Sequence, residues 1–151
     1  MRALIQRLTQ SSVTIDNQIK SQIKLGLVIF IGIGKNDGAK DVAYLVRKTA
    51  NLRIFPDQLG KLNYSLKDIG GSALVISQFT LYADTSRGNR PGFELAADLK
   101  TAKILYEKYV AGLIDEQIKV ETGTFQADML VNIANDGPVT ILLESLTEER
   151  K

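Results

Sequence analysis

The 151 residues include no histidine, no cysteine and no tryptophan. Without histidine there is no Ser-His-Asp triad, no Cys-His pair and no imidazole proton shuttle, and most transition-metal sites lose their commonest ligand. Without cysteine there is no disulfide, thiolate nucleophile or zinc-cysteine centre, which suits a reducing compartment without demanding one. An enzyme built from this chain has to use carboxylates, hydroxyls, lysine, main-chain N–H groups or a group on its own substrate. Long apolar runs are also missing. No stretch approaches the roughly 18 consecutive apolar residues of a membrane span, and the opening MRALIQRLTQ alternates instead of forming an apolar signal core. A cytoplasmic protein without a membrane partner is expected. Charge of one sign is scarce too: 19 basic against 17 acidic residues leave a net +2. That field is too weak to drive unspecific nucleic-acid binding, so any such contact has to be local.

What is present is an ordinary globular composition, 44% hydrophobic and 24% charged, which argues against disorder and for one domain over residues 1–151. The stretch that orders the rest is Ala73 to Asp84, ALVISQFTLYAD. Ala73 to Ile76 read as a strand buried on both faces. Beyond it Ser77, Gln78 and Thr80 bring hydroxyl and amide groups to the strand end, with Phe79 and Leu81 between them, where a sheet usually hands over to a site. A strand that simply ends at the surface has the same pattern, its Ser and Thr serving local backbone groups.

Around that centre, residues 2 to 8 alternate as a strand, Ser11-Ser12 break it, and Val13 to Lys24 continue an antiparallel meander turning at Asp16-Asn17. Leu25 to Ile33 read as a central strand. Gly32 and Gly34 make a GxG, but no third Gly and no Lys-Ser/Thr follow, so a phosphate loop is rejected. A helix is expected over 39–51, with Val42, Leu45, Val46, Thr49 and Leu52 on one face and Asp37 as N-cap, leaving Arg47, Lys48 and Arg53 as a solvated surface. Residues 85–93, TSRGNRPGF, form a basic loop whose Arg87 and Arg90 suit phosphate oxygens or merely solubility. A second helix is expected from Phe93 to Ala111, ended by Gly112, with Tyr106 and Tyr109 facing the core. Strands at 118–121, 126–135 and 139–145 follow, and LTEERK at 146–151 is expected to fray. The strand-helix-strand order is that of an α+β protein.

Asn135-Asp136-Gly137-Pro138-Val139-Thr140 separates the last two strands, and its residues are those of a plain hairpin turn. Yet a proline entering a strand loses a ladder bond, and an X-Pro bond has an accessible cis form. Together SQxTL (Ser77, Gln78, Thr80, Leu81) and GPxT (Gly137, Pro138, Thr140), about sixty residues apart, make a specific pair. With MRALIQR and LRIFPD, they make the chain resemble, nearly end to end, the D-aminoacyl-tRNA deacylases. Ala83, Ser86 and Gly92 depart from the residues usual at those loop positions.

The resemblance implies a barrel-like, mostly antiparallel β-sheet structure with two main helices. It implies a homodimer, without metal or cofactor, that hydrolyses the ester between a D-amino acid and the 3′-terminal adenosine of tRNA. It also implies a cis Gly137-Pro138 peptide reaching into the partner's site, opposite Ser77 to Leu81. Expected roles are an oxyanion site from the Gln78 and Phe79 N–H groups, substrate positioning by Thr80 beside Ser77, activation by the adenosine 2′-hydroxyl, and tRNA contact at Arg87 and Arg90. Carbonyls at Gly137 and Pro138, near Thr140, would exclude L side chains, so glycyl-tRNA is expected to be cut as well. A non-catalytic RNA-binding module is the competing reading; it would use the arginines but not the Gly-Pro peptide.

Overall fold

The computed structural model describes residues 1–145, so the charged 146–151 segment lies outside the described residues. The first strand, β1 (Arg2–Ile15), runs through Ser11 and Ser12 without the expected break. The serines stay in the ladder because Ser11 is paired on both edges, with Ile23 and with Ile133, and its hydroxyl donates to the Asn132 carbonyl at 2.7 Å. Asp16 and Asn17 then turn the chain at φ of 50° and 60°, left-handed geometry that these two residue types tolerate best.

The chain returns as β2 (Gln18–Ile23) and continues as β3 (Gly26–Gly32). β2 pairs residues 11–15 of β1 and β3 pairs residues 2–8, both antiparallel. The expected meander is therefore two strands laid end to end along one edge of β1.

Helix α1 (Ala39–Asn51) buries the expected stripe of Val42, Leu45, Val46 and Thr49. Its N-cap is Gly38, not Asp37: the Asp41 carboxylate accepts the Gly38 N–H at 2.8 Å, whereas Asp37 turns back to accept the Gly34 N–H at 2.6 Å. A small ribbon of β4 (Phe55–Pro56) and β5 (Leu62–Tyr64) follows, where Arg53 Nε donates to the Asn63 carbonyl at 2.8 Å. The arginine is thus part of the local framework.

Strand β6 (Ser72–Ser77) lies parallel to β3 on one side and to β7 (Lys119–Thr122) on the other. Parallel neighbours need crossovers, and α1 and α2 (Leu99–Asp115) supply them. Ala73, Leu74, Val75 and Ile76 are at most 1% exposed, as a strand covered on both faces requires. Ala73 and Val75 join the large core beneath the helices; Leu74 and Ile76 join a second core with Leu8, Val13 and Val28. Each buried Leu, Val or Ile among them contributes about 1.5–3 kcal/mol of apolar burial.

Helix α2 starts later than expected because Asp98 caps it, accepting the Thr101 N–H at 3.0 Å. The preceding residues are bonded to the end of β3 instead: Ala97 N–H donates to Ile33 at 2.9 Å, and Lys35 N–H donates to Leu95 at 3.1 Å. Gly112 lies inside α2 and does not end it; a Cβ there would sit 2.8 Å from Val46 Cγ2, so the glycine lets the two helices approach. Tyr106 and Tyr109 face the core as expected, and Tyr109 shares a 2.7 Å hydrogen bond with Thr49.

The last described strand, β8 (Leu130–Glu144), covers the free edge of β1 along nearly its whole length, antiparallel. Since β2 also lies beside β6 and β7, the sheet curls into a nearly closed barrel. The α+β, barrel-like arrangement with two helices matches expectation, and its sheet is mixed, antiparallel about β1 and parallel across β3, β6 and β7.

Candidate active site

The end of β6 departs from the sheet at a defined point. The Gln78 N–H makes a last bond, 2.7 Å to the Ile31 carbonyl, and Phe79–Tyr82 then form a 3₁₀ turn. This corrects one expectation: the Gln78 N–H is committed to the sheet and is not free for an oxyanion. Among the described residues, the N–H groups of Phe79 and Thr80, first in the turn, have no acceptor. Both residues are exposed, and, as in the first turn of any helix, these main-chain donors lack an internal partner.

Glycines decide where the turn sits. A Cβ on Gly32 would lie 3.0 Å from Leu81 Cβ and 3.1 Å from the Gln78 carbonyl oxygen, and one on Gly34 would lie 2.8 Å from the Tyr82 ring. The GxG is thus a notch that receives the turn. Phe79 is 57% exposed and meets Phe93 edge-on at 4.9 Å. The Gln78 side-chain amide donates to the Thr80 hydroxyl. Ser77, Gln78 and Phe79 open onto a cavity of about 600 Å³ whose other walls include Phe93, Phe125 and Met129. Behind it the Tyr106 hydroxyl donates to the Val75 carbonyl at 2.9 Å, and its ring lies 5.8 Å from Phe125. Burial pushes the Tyr106 phenol up to about 12, so it stays a neutral donor.

Phe93, Phe125 and Met129 were not singled out from the sequence. Phe93 is the last residue of the basic 85–93 loop, which was a usable signal; Phe125 and Met129 come to the cavity only through the connection between β7 and β8. Arg87 and Arg90 are exposed on a loop closed by the paired main-chain bonds of Asp84 and Gly92, at 2.8 and 2.9 Å. Neither lines the cavity.

The Gly-Pro segment is not a hairpin turn. β8 is one strand, in which Asn135 pairs Leu8 and Thr140 pairs Gln6, so Asp136 to Val139 bulge out opposite Arg7 alone. The Gly137-Pro138 peptide is cis, with Gly137 at φ 115°. Side chains staple the base of this elbow. Asn135 Nδ2 donates to the Arg7 and Val139 carbonyls, both at 3.0 Å, and Gln6 Nε2 donates to the Thr140 hydroxyl at 3.1 Å. Arg7, only 7% exposed, donates through Nη1 to the Ile54 carbonyl at 2.7 Å and holds the Asp136 carboxylate 3.1 Å from Nε. Strand alternation puts Arg7 on one face with Ala3 and Ile5, and a cation on that otherwise apolar face is the signal for its role.

Within one chain the two motifs are apart. Ser77 shares a row with Ile31 and Ala3, whereas the elbow faces Arg7 and lies three strands away, across β3 and β1. At about 3.3 Å per residue and 4.8 Å per strand this is a separation of roughly 15–20 Å. No residue of 136–140 lines the cavity.

The chain is a barrel-like α+β protein with an aromatic cavity at the end of β6. The family model described as D-Tyr-tRNA(Tyr) deacylase matches residues 4–144, and the chain belongs to that family. A protein from Chlorobaculum tepidum named D-aminoacyl-tRNA deacylase is 52% identical over 96% of this chain and 97% of its own length. One of the same name from Clostridium novyi is 49% identical over 98% and 99%. Among solved structures, the c-Myc DNA Unwinding Element Binding Protein superposes with a TM-score of 0.91 at 38% identity, covering 97% of this chain and 100% of that one. A probable eukaryotic D-amino acid tRNA deacylase, at 14% identity and a TM-score of 0.83 over 95% and 98%, shares the fold.

Proposed function

We propose that the chain is a D-aminoacyl-tRNA deacylase: it hydrolyses the ester joining a D-amino acid to the 3′-terminal adenosine of tRNA, releasing both, and works as a homodimer in the cytoplasm. One observation carries this reading beyond the family likeness. The uncommitted N–H of Phe79 opens beside an aromatic cavity wide enough for a flat base, while the Gly137-Pro138 elbow stands elsewhere on the same chain. A second copy supplies the missing half if its elbow enters this cavity.

In this account the adenine ring lies against Phe79, Phe93 and Phe125, and the ester carbonyl accepts from the Phe79 N–H, with the Thr80 N–H beside it. Water adds to the carbonyl carbon, the developing oxyanion is held by those main-chain donors, and the proton goes to the departing 3′-oxygen of the adenosine. With no imidazole in the sequence, the adenosine 2′-hydroxyl assists the water. Thr80, its hydroxyl held by Gln78, positions the substrate along with Ser77. The partner's elbow fills the space that an L side chain needs, its Gly137 and Pro138 carbonyls facing the α-carbon, and Thr140 anchors its far end to Gln6. Selection is therefore steric, and glycyl-tRNA, with no side chain to exclude, is cut too. Arg87 and Arg90 contact the tRNA backbone.

The test is release of amino acid from D-tyrosyl- and L-tyrosyl-tRNA. The reading expects D-tyrosine to be released at least about 100-fold faster than L-tyrosine, the scale of discrimination that steric and polar mismatch reach. Equal release, or none, rejects it, and binding without release is the outcome of the RNA-binding module. A tRNA ending in 2′-deoxyadenosine separates the roles of the hydroxyls: it should resist hydrolysis, and if it is cut normally while Thr80→Ala is dead, Thr80 is the nucleophile instead.

A further inference from the structure

The 3₁₀ turn Phe79–Tyr82 is fixed at its two ends by different means. At its start stands the single main-chain bond from Gln78 to Ile31. At its far end the Tyr82 ring fills the notch left by Gly32 and Gly34, and its hydroxyl donates to Asp37 Oδ2 at 3.2 Å. Asp37 is itself held by the Gly34 N–H and by an ion pair with the Met1 ammonium. Arg2 closes the other side: Nη1 donates to the Leu81 carbonyl at 2.7 Å, and the guanidinium carbon lies 4.7 Å from the centre of the Tyr82 ring. Neither Tyr82 nor Arg2 lines the cavity.

We propose that Tyr82, backed by Arg2 and Asp37, is a positioning residue that sets the height and tilt of the turn carrying the Phe79 and Thr80 N–H groups. The inference rests on the reading that those donors serve deacylation. Between the two anchors Phe79 and Thr80 are exposed, and apart from the Phe79–Phe93 ring contact and the Gln78–Thr80 side-chain bond only the anchors hold their donors in place. Loss of the far anchor lets the turn swing about Gln78, while the cavity walls from β6, α2 and the connection between β7 and β8 stay where they are. Misplacement by about 1 Å is enough to cost some 100-fold in rate. Binding of the tRNA end changes less than the rate, because of the cavity walls only Phe79 rides on the turn.

The experiment measures kcat and KM for D-tyrosyl-tRNA alongside amide hydrogen exchange. In Tyr82→Ala, kcat should fall about 100-fold, with the rise in KM from the displaced Phe79 ring staying below about tenfold. Exchange at Leu81 and Ala83, bonded to the Gln78 and Thr80 carbonyls, should accelerate at least about tenfold while β3 is unchanged. Tyr82→Phe keeps the ring in the notch and should rescue most of kcat. Gly34→Ala, whose new Cβ would press on the ring from the other side, should reproduce the kcat loss and carries the test if Tyr82→Ala does not fold. A wild-type kcat in either variant, or a change confined to KM, overturns the proposal. Should the unaltered enzyme release no D-tyrosine, the deacylase reading is what fails; unchanged exchange at Leu81 and Ala83 in Tyr82→Ala then overturns the clamp on its own.

Discussion

Set beside the elbow at Asp136–Val139, which side chains staple at both flanks, the 3₁₀ turn at Phe79–Tyr82 hangs between one main-chain bond at its start and a tyrosine clamp backed by Arg2 and Asp37 at its end. The turn rests a tyrosine ring in a glycine notch and leaves two N–H groups uncommitted. The elbow commits its flanking groups: Asn135 bridges two carbonyls, and Arg7 reaches both Asp136 and Ile54. The contrast suits two tasks. Donors meant for a transient oxyanion must be free in the resting protein yet fixed in direction. A main-chain wall that discriminates by shape needs rigidity, and the side chains of Asn135, Arg7 and Gln6 supply that.

The sharpest way to break this comparison is to remove the turn's donor without removing its fold. Phe79→Pro deletes the N–H at the first position of the turn, where proline is well tolerated, and Gln78 before it, at φ −142° and ψ 82°, is outside the helical region that a following proline disfavours. We expect kcat to fall by two to three orders of magnitude, about 3–4 kcal/mol of barrier. Phe79→Ala, which keeps the N–H, should lose less in kcat and more in KM. Equal losses in kcat would assign the ring, not the donor, to the chemistry. Next in size is Arg7→Ala, which strands the half-buried Asp136 carboxylate and the Ile54 carbonyl; denaturant titration should read a loss of about 2–3 kcal/mol, with D over L selectivity relaxed. Smallest is Asn135→Ala, which leaves two carbonyls unpaired; about 1–2 kcal/mol should be lost with kcat on D-tyrosyl-tRNA nearly kept. A large kcat loss there would show that the elbow does more than exclude.

The buried strand that leads into the turn was largely legible in the sequence, and the elbow was legible only by resemblance. ALVI is apolar at every position, so burial on both faces follows from composition, and the stripe of α1 follows from its period. What local reading missed was decided by partners far along the chain. Ser11 and Ser12 look like a break until β2 and β8 pair them from both edges. Asn-Asp-Gly-Pro looks like a hairpin until β1 is seen to bind both flanks and make it a bulge. The helix start at Leu99 instead of Phe93 reflects bonds from 95 and 97 to the end of β3, which no propensity encodes. The availability of the Gln78 N–H was likewise settled by a neighbouring strand.

The central claim is that each site takes its turn from one chain and its elbow from the other, and subunit mixing tests it directly. Phe79→Pro damages the turn, and Gly137→Ala damages the elbow, since its Cβ would lie 2.8 Å from Val139 Cγ2 and 2.9 Å from Arg7 Nη2 at a φ of 115°. When the two impaired chains are unfolded together and refolded, half of the dimers are mixed, and each mixed dimer has one undamaged turn facing one undamaged elbow. The account predicts recovery to about one quarter of the unaltered activity on D-tyrosyl-tRNA; activity no higher than the mean of the two parents would contradict it.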